Sequence, residues 1–485
     1  MPRHFALCLL VLAASPALAA DGAIELTDCR ITAGPGFPGI DARCGTLARP
    51  LDPGNPEGDS IELSIAVVPA LSLEPAPDPF VPVAGGPGQS TVDFYAAWFG
   101  AFERVRRHRD ILLVDQRGTG DSARLTCDID EDIVEGKYST RQTLRVTREC
   151  LDKLPHDPRF FTTSVAVADL EAVRTGLGYG PLNIYGISYG TRVAQHYARR
   201  HPLSTRTVIL DGVVPPQLPL GPDIAIESQR AIDSVFDRCE SEPDCSARFP
   251  AVRDHFALLR ERLADGALEV EMQNPVTGAL ESVEFGSEQF SAAVRLLLYN
   301  PRTIALLPLL IDAAASGNYA PLAAQFRLVA TTVAESLAIG MHNAVVCTED
   351  EPFIDWAAVD EAAIEKSYLG PLQLEAIRTM CSVWPAGVLD ADLREPLATA
   401  APVLLLSGEA DPITPPAYAQ LAAVDLNKAW LVTGRNQGHG LAAVGCMPRV
   451  ISKFIAEAGL EDGDTSCIDD AFAMPFFVNF TGPMP

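Results

Sequence analysis

Positive charge is scarce: 37 lysines and arginines stand against 63 aspartates and glutamates, a net of −26. Nucleic-acid binding needs a basic footprint, and this chain has none to offer. The usual metal-site spacings are missing as well. No Cys-x-x-Cys pair and no His-Glu-x-x-His segment occurs, and the eight histidines are scattered. No glycine-rich stretch ends in Gly-Lys-Ser/Thr, which excludes a Walker phosphate loop. Long hydrophobic runs are lacking: Phe5 to Ala14 is too short to span a bilayer, and no later segment reaches that length without charge or proline. Internal repeats and low-complexity tracts are absent.

With 48% hydrophobic and 21% charged residues, the composition is that of a soluble globular protein. A length of 485 residues exceeds what one core holds, so one large domain with a substantial insertion is expected. Arg3 and His4, the apolar run after them and the small residues of Ala17-Leu18-Ala19 read as a signal peptide over residues 1–19. That predicts export to a periplasm or to the medium. Setting Cys8 aside leaves ten of the eleven cysteines, an even number in an oxidising compartment. Up to five disulfides follow. Spacing does not fix their connectivity, but neighbours pair conveniently: Cys29 with Cys44, Cys127 with Cys150, Cys239 with Cys245, Cys347 with Cys381, and Cys446 with Cys467.

The most informative stretch is Leu182 to His196. Leu182 to Tyr185 reads as a short buried strand, Gly186-Ile187-Ser188-Tyr189-Gly190 follows, and Thr191 to Arg200 has helical spacing with Val193, Ala194, Tyr197 and Ala198 on one face. Strand, Gly-x-Ser-x-Gly, helix is the context of a nucleophile elbow. A serine on so tight a turn needs neighbours two residues away with almost no side chain, and Gly186 and Gly190 supply that. Short apolar strands at Ile61–Pro69, Phe80–Ala84, Ile111–Val114 and Val208–Leu210 alternate with helical runs such as Val167–Leu177. Such alternation predicts a mostly parallel sheet covered on both faces, and the elbow makes it an α/β-hydrolase architecture. Residues 20–60, rich in glycine, proline and cysteine, read as an irregular lead-in. From about residue 216 to 395 the pattern turns helical, with Leu268–Met272 one of few strand signals, and predicts an inserted cap between core segments 20–215 and 396–485.

A serine hydroxyl needs an adjacent base, itself oriented by an acid. In this architecture the order is Ser, then Asp or Glu, then His, each on a loop after a strand. Strand Val403–Leu406 leads into Ser407-Gly408-Glu409-Ala410-Asp411-Pro412, and strand Ala429–Val432 into a glycine-rich loop bearing His439. Asp411 and His439 are therefore the expected partners of Ser188, with Glu409 as the reserve acid. Gly85-Gly86-Pro87-Gly88, after an early strand, stands where half of an oxyanion hole belongs. Pro87 has no N–H, so Gly86 is the expected donor, Gly85 the next candidate, and the N–H of Tyr189 the second donor. For Asp115 and Arg117, in a loop after another strand, bracing of the oxyanion loop by an internal ion pair outweighs substrate contact. No metal or cofactor is required.

Together, Gly85-Gly86-Pro87-Gly88, Asp115-Gln116-Arg117-Gly118-Thr119-Gly120, Gly186-Ile187-Ser188-Tyr189-Gly190-Thr191 and Gly408-Glu409-Ala410-Asp411-Pro412-Ile413-Thr414-Pro415 resemble secreted α/β-hydrolase peptidases of the proline iminopeptidase and tripeptidyl aminopeptidase group. The resemblance implies release of residues or short peptides, tripeptides included, from substrates with a free N-terminus. It also implies cap carboxylates near the serine that read the α-amine. Glu349 and Asp350, in Cys347-Thr348-Glu349-Asp350-Glu351, are the positions it points to, with Glu227 and Glu240 as further acids. Many relatives carry a histidine before the oxyanion glycines; here it is Ala84. Two alternatives stand beside the aminopeptidase: a carboxylic-ester hydrolase with the same triad, and a non-catalytic binding protein on the same fold. Retention of serine, acid and histidine weighs against the last.

Overall fold

The computed structural model describes residues 24–34, 36–127 and 139–482; the expected signal peptide and its cleavage point lie outside them. The frame is one sheet. Its strands are β1 (Thr27–Ile31), β2 (Ile40–Pro50), β3 (Ser60–Val68), β4 (Ala76–Val83), β5 (Arg109–Val114), β6 (Leu182–Ile187) and β7 (Thr205–Asp211). A hairpin apart from it holds β8 (Leu268–Gln273) and β9 (Leu280–Phe285), and β10 (Val403–Gly408) and β11 (Ala429–Gly434) complete the sheet. The nine-stranded order is β1-β2-β3-β5-β4-β6-β7-β10-β11. The first three strands and the β3–β5 pair are antiparallel, and every pair from β5 to β11 is parallel.

Alternation explains why the central strands read as continuous apolar runs. In β10, Val403 and Leu405 enter the core on one face, while Leu404 and Leu406 enter the core on the other. Ile184 and Tyr185 of β6 split in the same way. A strand covered on both faces has no polar side to show. The lead-in departs from its sequence reading: it forms β1 and β2, which extend the sheet at its antiparallel edge. Glycine, proline and cysteine there mark turns and a cross-strand link, while Ile31, Ile40, Ala42 and Leu47 are buried.

Among the described residues, five disulfides join Cys29–Cys44, Cys127–Cys150, Cys239–Cys245, Cys347–Cys381 and Cys446–Cys467, the neighbour pairs that spacing favours. No helix among the described residues is long and apolar enough to cross a membrane.

Between β7 and β10 the chain is mainly helical, with helices such as Ile224–Ser241, Val252–Ala264, Ser287–Leu297 and Ala320–Ser336. They enclose a separate apolar core that includes Phe236, Leu259, Phe290 and Ile311. The C-terminal tail returns to it: Phe476 packs in this core under the Arg238 guanidinium, 3.8 Å from the ring centroid. The segment around Ala338, Met341, Val345 and Cys347 instead packs into the core on the sheet.

The loop after β5 is braced by two separate devices. Asp115 accepts from Ser90 Oγ at 2.9 Å and from the Val92 N–H at 3.2 Å, fixing the end of the oxyanion loop. Arg117 does not pair with it. Its guanidinium grips Asp169 of helix Thr163–Gly176 through Nε (2.6 Å) and a terminal nitrogen (2.9 Å), and donates to the Leu51, Phe160 and Pro50 carbonyls. Both partners are almost wholly buried. Removing one charge of a buried pair strands the other, at about 3–5 kcal/mol. Asp169→Asn is therefore expected to lower the urea unfolding midpoint by that equivalent; a shift worth under about 1 kcal/mol would mean that the pair stabilises little.

Candidate active site

Ser188 stands at the end of β6 and opens helix Tyr189–Arg200, with φ 56° and ψ −126°. Sterics hold it there. A Cβ on Gly186 would come 2.1 Å from the Gly190 carbonyl oxygen, and one on Gly190 2.3 Å from that of Val83. The turn is tied by backbone groups: Ser188 N–H donates to the Asp211 carbonyl at 2.9 Å, and Thr191 donates to the Ser188 carbonyl through N and Oγ1. The residue after Asp211 lies against the imidazole of His439, since a Cβ on Gly212 would approach its Cε1 to 2.8 Å. Serine and histidine thus flank the same strand end.

Asp411 follows β10 and is fully buried. Its Oδ1 accepts the N–H groups of Ile413 and Thr414, both at 2.9 Å, and its Oδ2 accepts from Thr414 Oγ1 at 2.7 Å and lies 2.7 Å from His439 Nδ1. With Nδ1–H turned to Asp411, the lone pair is left on Nε2. Burial pushes the Asp411 carboxyl up, but the His439 charge and the donated hydrogen bonds outweigh it and hold it below the ordinary value. Burial lowers His439, and Asp411 outweighs that, so the imidazole sits above its ordinary range. Glu409, the reserve acid, is exposed and accepts the Asn436 N–H at 3.0 Å instead.

Close contact between the two loops fixes this pairing. A Cβ on Gly408 would stand 1.9 Å from the Gly438 carbonyl oxygen, so only glycine lets the acid loop meet the histidine loop. Two supports were not legible from spacing. Asp211 accepts the N–H groups of Leu441 and Ala442 and the Tyr185 hydroxyl, anchoring the chain just past His439. Tyr299, from the cap, accepts the His439 N–H at 2.8 Å and sets its ring edge-to-face on the imidazole, centroids 5.3 Å apart. An aspartate closing the apolar run Val208–Leu210 was the available signal for the first; none existed for the second.

Gly85 packs on Ser188, for a Cβ there would be 2.9 Å from Ser188 Cβ. Among the described residues, neither the Gly86 nor the Tyr189 amide donates to a protein acceptor, and Tyr189 begins the helix, where the dipole adds to its pull on an anion. The cap reaches this loop directly: Ala338 N–H donates to the Gly88 carbonyl at 2.9 Å, and His342 Nδ1 lies 3.2 Å from that of Pro87.

Glu349 and Asp350 come beside the elbow helix, yet both are buried and their oxygens are engaged by the protein. Asp350 takes Arg192 through both terminal nitrogens (2.7 and 3.1 Å) and the Leu220 N–H at 2.8 Å. Glu349 accepts the N–H and hydroxyl of Thr163 at 2.7 and 2.8 Å, with Arg192 at 3.7 Å. Burial pushes the Glu349 carboxyl up to about 7 against the pull of Arg192. Glu227 pairs with Arg230, which donates to the Asp411 carbonyl, whereas Glu240 pairs with Arg253 on the cap's exposed side. Away from this centre, His196, Asp390 and Asp392 cluster, but Arg200 lies within 3.6 Å of both carboxylates and offsets their charge.

The chain is similar to two described families and to several known proteins. Residues 78–236 match the family described as alpha/beta hydrolase fold, and residues 367–467 match the family described as TAP-like protein. Serine protease Hip1 of Mycobacterium tuberculosis is 34% identical over 214 residues, which span 40% of this chain and 40% of that protein. Tripeptidyl aminopeptidase of Streptomyces coelicolor is 24% identical over 486 residues, covering 89% of this chain and 84% of the other. Among solved structures, proline iminopeptidase from Mycobacterium smegmatis aligns at 15% identity with a TM-score of 0.41, over 85% of this chain and 98% of that one, too loose a match to bear on function.

Proposed function

We propose that this chain, which belongs to the α/β hydrolases and carries a TAP-like C-terminal region, is an exported serine aminopeptidase that removes residues or short peptides through an acyl-serine. The observation that carries the chemistry is the 2.7 Å contact of Asp411 with His439 at the end of the parallel strands that present Ser188. His439 Nε2 takes the proton of Ser188 as Oγ attacks the carbonyl carbon. Asp411 holds the tautomer and stabilises the imidazolium. The N–H groups of Gly86 and Tyr189 receive the developing oxyanion, each such donor being worth about 10²–10³ in turnover. His439 returns the proton to the leaving amine, and water activated by the same base releases the product. Support for peptides with a free N-terminus comes from the TAP-like match and from the long alignment with a tripeptidyl aminopeptidase. Five disulfides favour an oxidising compartment, as the apolar N-terminal run does.

The test is hydrolysis of chromogenic amides of alanine, proline and a proline-ending tripeptide, each with a free and an acetylated N-terminus, beside a short-chain ester. Free-amine amides are expected to be cut more than about 100-fold faster than their acetylated forms, because an unpaired buried recognition group rejects the wrong substrate. Cleavage of the ester and of no amide would assign carboxylic-ester hydrolysis instead.

A further inference from the structure

The cap turn Val346–Asp350 is wound wider than an α-helix, a local form that recurs at functional sites. It drives Glu349 into the wall behind the nucleophile. With Glu349 ionised, the form that Arg192 and the Thr163 N–H favour, the hydrogen bonds there have one consistent direction. Glu349, as a carboxylate, is acceptor-only, so Thr163 gives it both its N–H and its hydroxyl proton. The Thr163 oxygen, 2.6 Å from the Tyr189 hydroxyl, must then accept from Tyr189. The Tyr189 oxygen in turn accepts from Gln116 Nε2 at 2.9 Å. A directed chain therefore runs Gln116 to Tyr189 to Thr163 to Glu349, the last three buried and Gln116 partly so. It pins the side chain of the residue whose amide faces the oxyanion position. Arg192, one helical turn past Ser188, is clamped by Asp350 beside it.

We propose that Glu349 is a positioning residue: acting through Thr163, it orients Tyr189 and so sets the oxyanion donor, rather than binding the substrate's amine. This role rests on Ser188 as nucleophile and Tyr189 as donor, and is independent of whether the substrate carries a free amine. Glutamine at 349 offers one oxygen where two acceptors are needed. Its amide group either opposes the Thr163 N–H or reverses the hydroxyl chain, leaving Tyr189 without its acceptor.

The experiment measures fluorophosphonate labelling rates and amide turnover for Glu349→Gln, Thr163→Val, Thr163→Ser and Tyr189→Phe. Each variant is checked for a native circular dichroism spectrum, and Tyr189→Phe, which removes only a hydroxyl, covers the case in which Glu349→Gln does not fold. Labelling and kcat are expected to fall together by about 10–100-fold in Glu349→Gln, Thr163→Val and Tyr189→Phe, with KM within about twofold, the mark of an interaction made in the transition state. Thr163→Ser, which keeps the hydroxyl, should restore near wild-type rates. A rise in KM confined to free-amine substrates, with labelling unchanged, overturns the proposal in favour of an amine clamp. Unchanged rates in Tyr189→Phe and Thr163→Val also overturn it. A wild-type chain that the reagent does not label overturns the nucleophile itself, and this role with it.

Discussion

Ser188→Ala is expected to lower kcat by about 10⁵–10⁶-fold, with KM within about threefold, because serine and histidine act as a unit and the loss of one removes the whole of their contribution. The turn should survive the change. Its strained φ is held by contacts that alanine keeps: the N–H bond to the Asp211 carbonyl, the two bonds from Thr191, and the glycine packing on either side. Alanine also retains the Cβ that sits against Gly85. Thermal unfolding should therefore move by less than a degree or two, while labelling by a fluorophosphonate disappears. A residual rate of roughly a thousandth would be too high for hydrolysis supported by the oxyanion donors alone in an otherwise intact site. Retention of more than about a tenth of wild-type turnover would remove Ser188 from the mechanism.

The sequence disclosed those parts of the site that depend on neighbours along the chain. The elbow is legible because its glycines must lie two residues either side of the serine. Asp411 and His439 are legible because Val403–Leu406 of β10 and Ala429–Val432 of β11 are unbroken apolar runs, so the loop after each is unambiguous. Parts that depend on distant contacts were hidden. Arg117 finds Asp169, and no local pattern distinguishes that partner from Asp115. Tyr299 reaches His439 from the turn after helix Ser287–Leu297, more than a hundred residues earlier, through a backbone carbonyl that carries no sequence signal. Glu349 and Asp350 look like a solvated acidic turn in a chain already rich in acids. Their burial depends on Arg192 lying across from them on the elbow helix and on Thr163 at a helix start, neither of which spacing reveals. The first two strands were hidden by composition, since a half-exposed edge needs few apolar residues and tolerates glycine and proline.

Asp411→Asn should cost about 10⁴-fold in kcat and move the acid limb of the pH profile downward. The hydrogen bonds dictate why. Oδ1 accepts two backbone N–H groups, from Ile413 and Thr414, so the asparagine oxygen is forced into that place and its amide nitrogen into the place of Oδ2. That nitrogen would then donate to His439 Nδ1 across the 2.7 Å contact. The proton moves to Nε2, and the imidazole loses the lone pair that serves as base. Thr414 Oγ1, which donates to Oδ2 in the native chain and lies 3.1 Å from His439 Nδ1, is the one neighbour among the described residues placed to accept Nδ1–H in its stead, and Thr414→Val in the same background removes it. The pH sign follows from the same pair. In the wild type Asp411 holds His439 above 6.5, so activity is lost as pH falls through a value higher than that. Asparagine removes the charge and leaves burial, which favours neutral imidazole. The residual activity should therefore persist to lower pH than in the wild type. A limb that stays in place, or a loss of less than about tenfold, would mean that the imidazole is oriented by another group. Tyr299 and Asp211, which grip the histidine loop by its backbone, would then be the first residues to change.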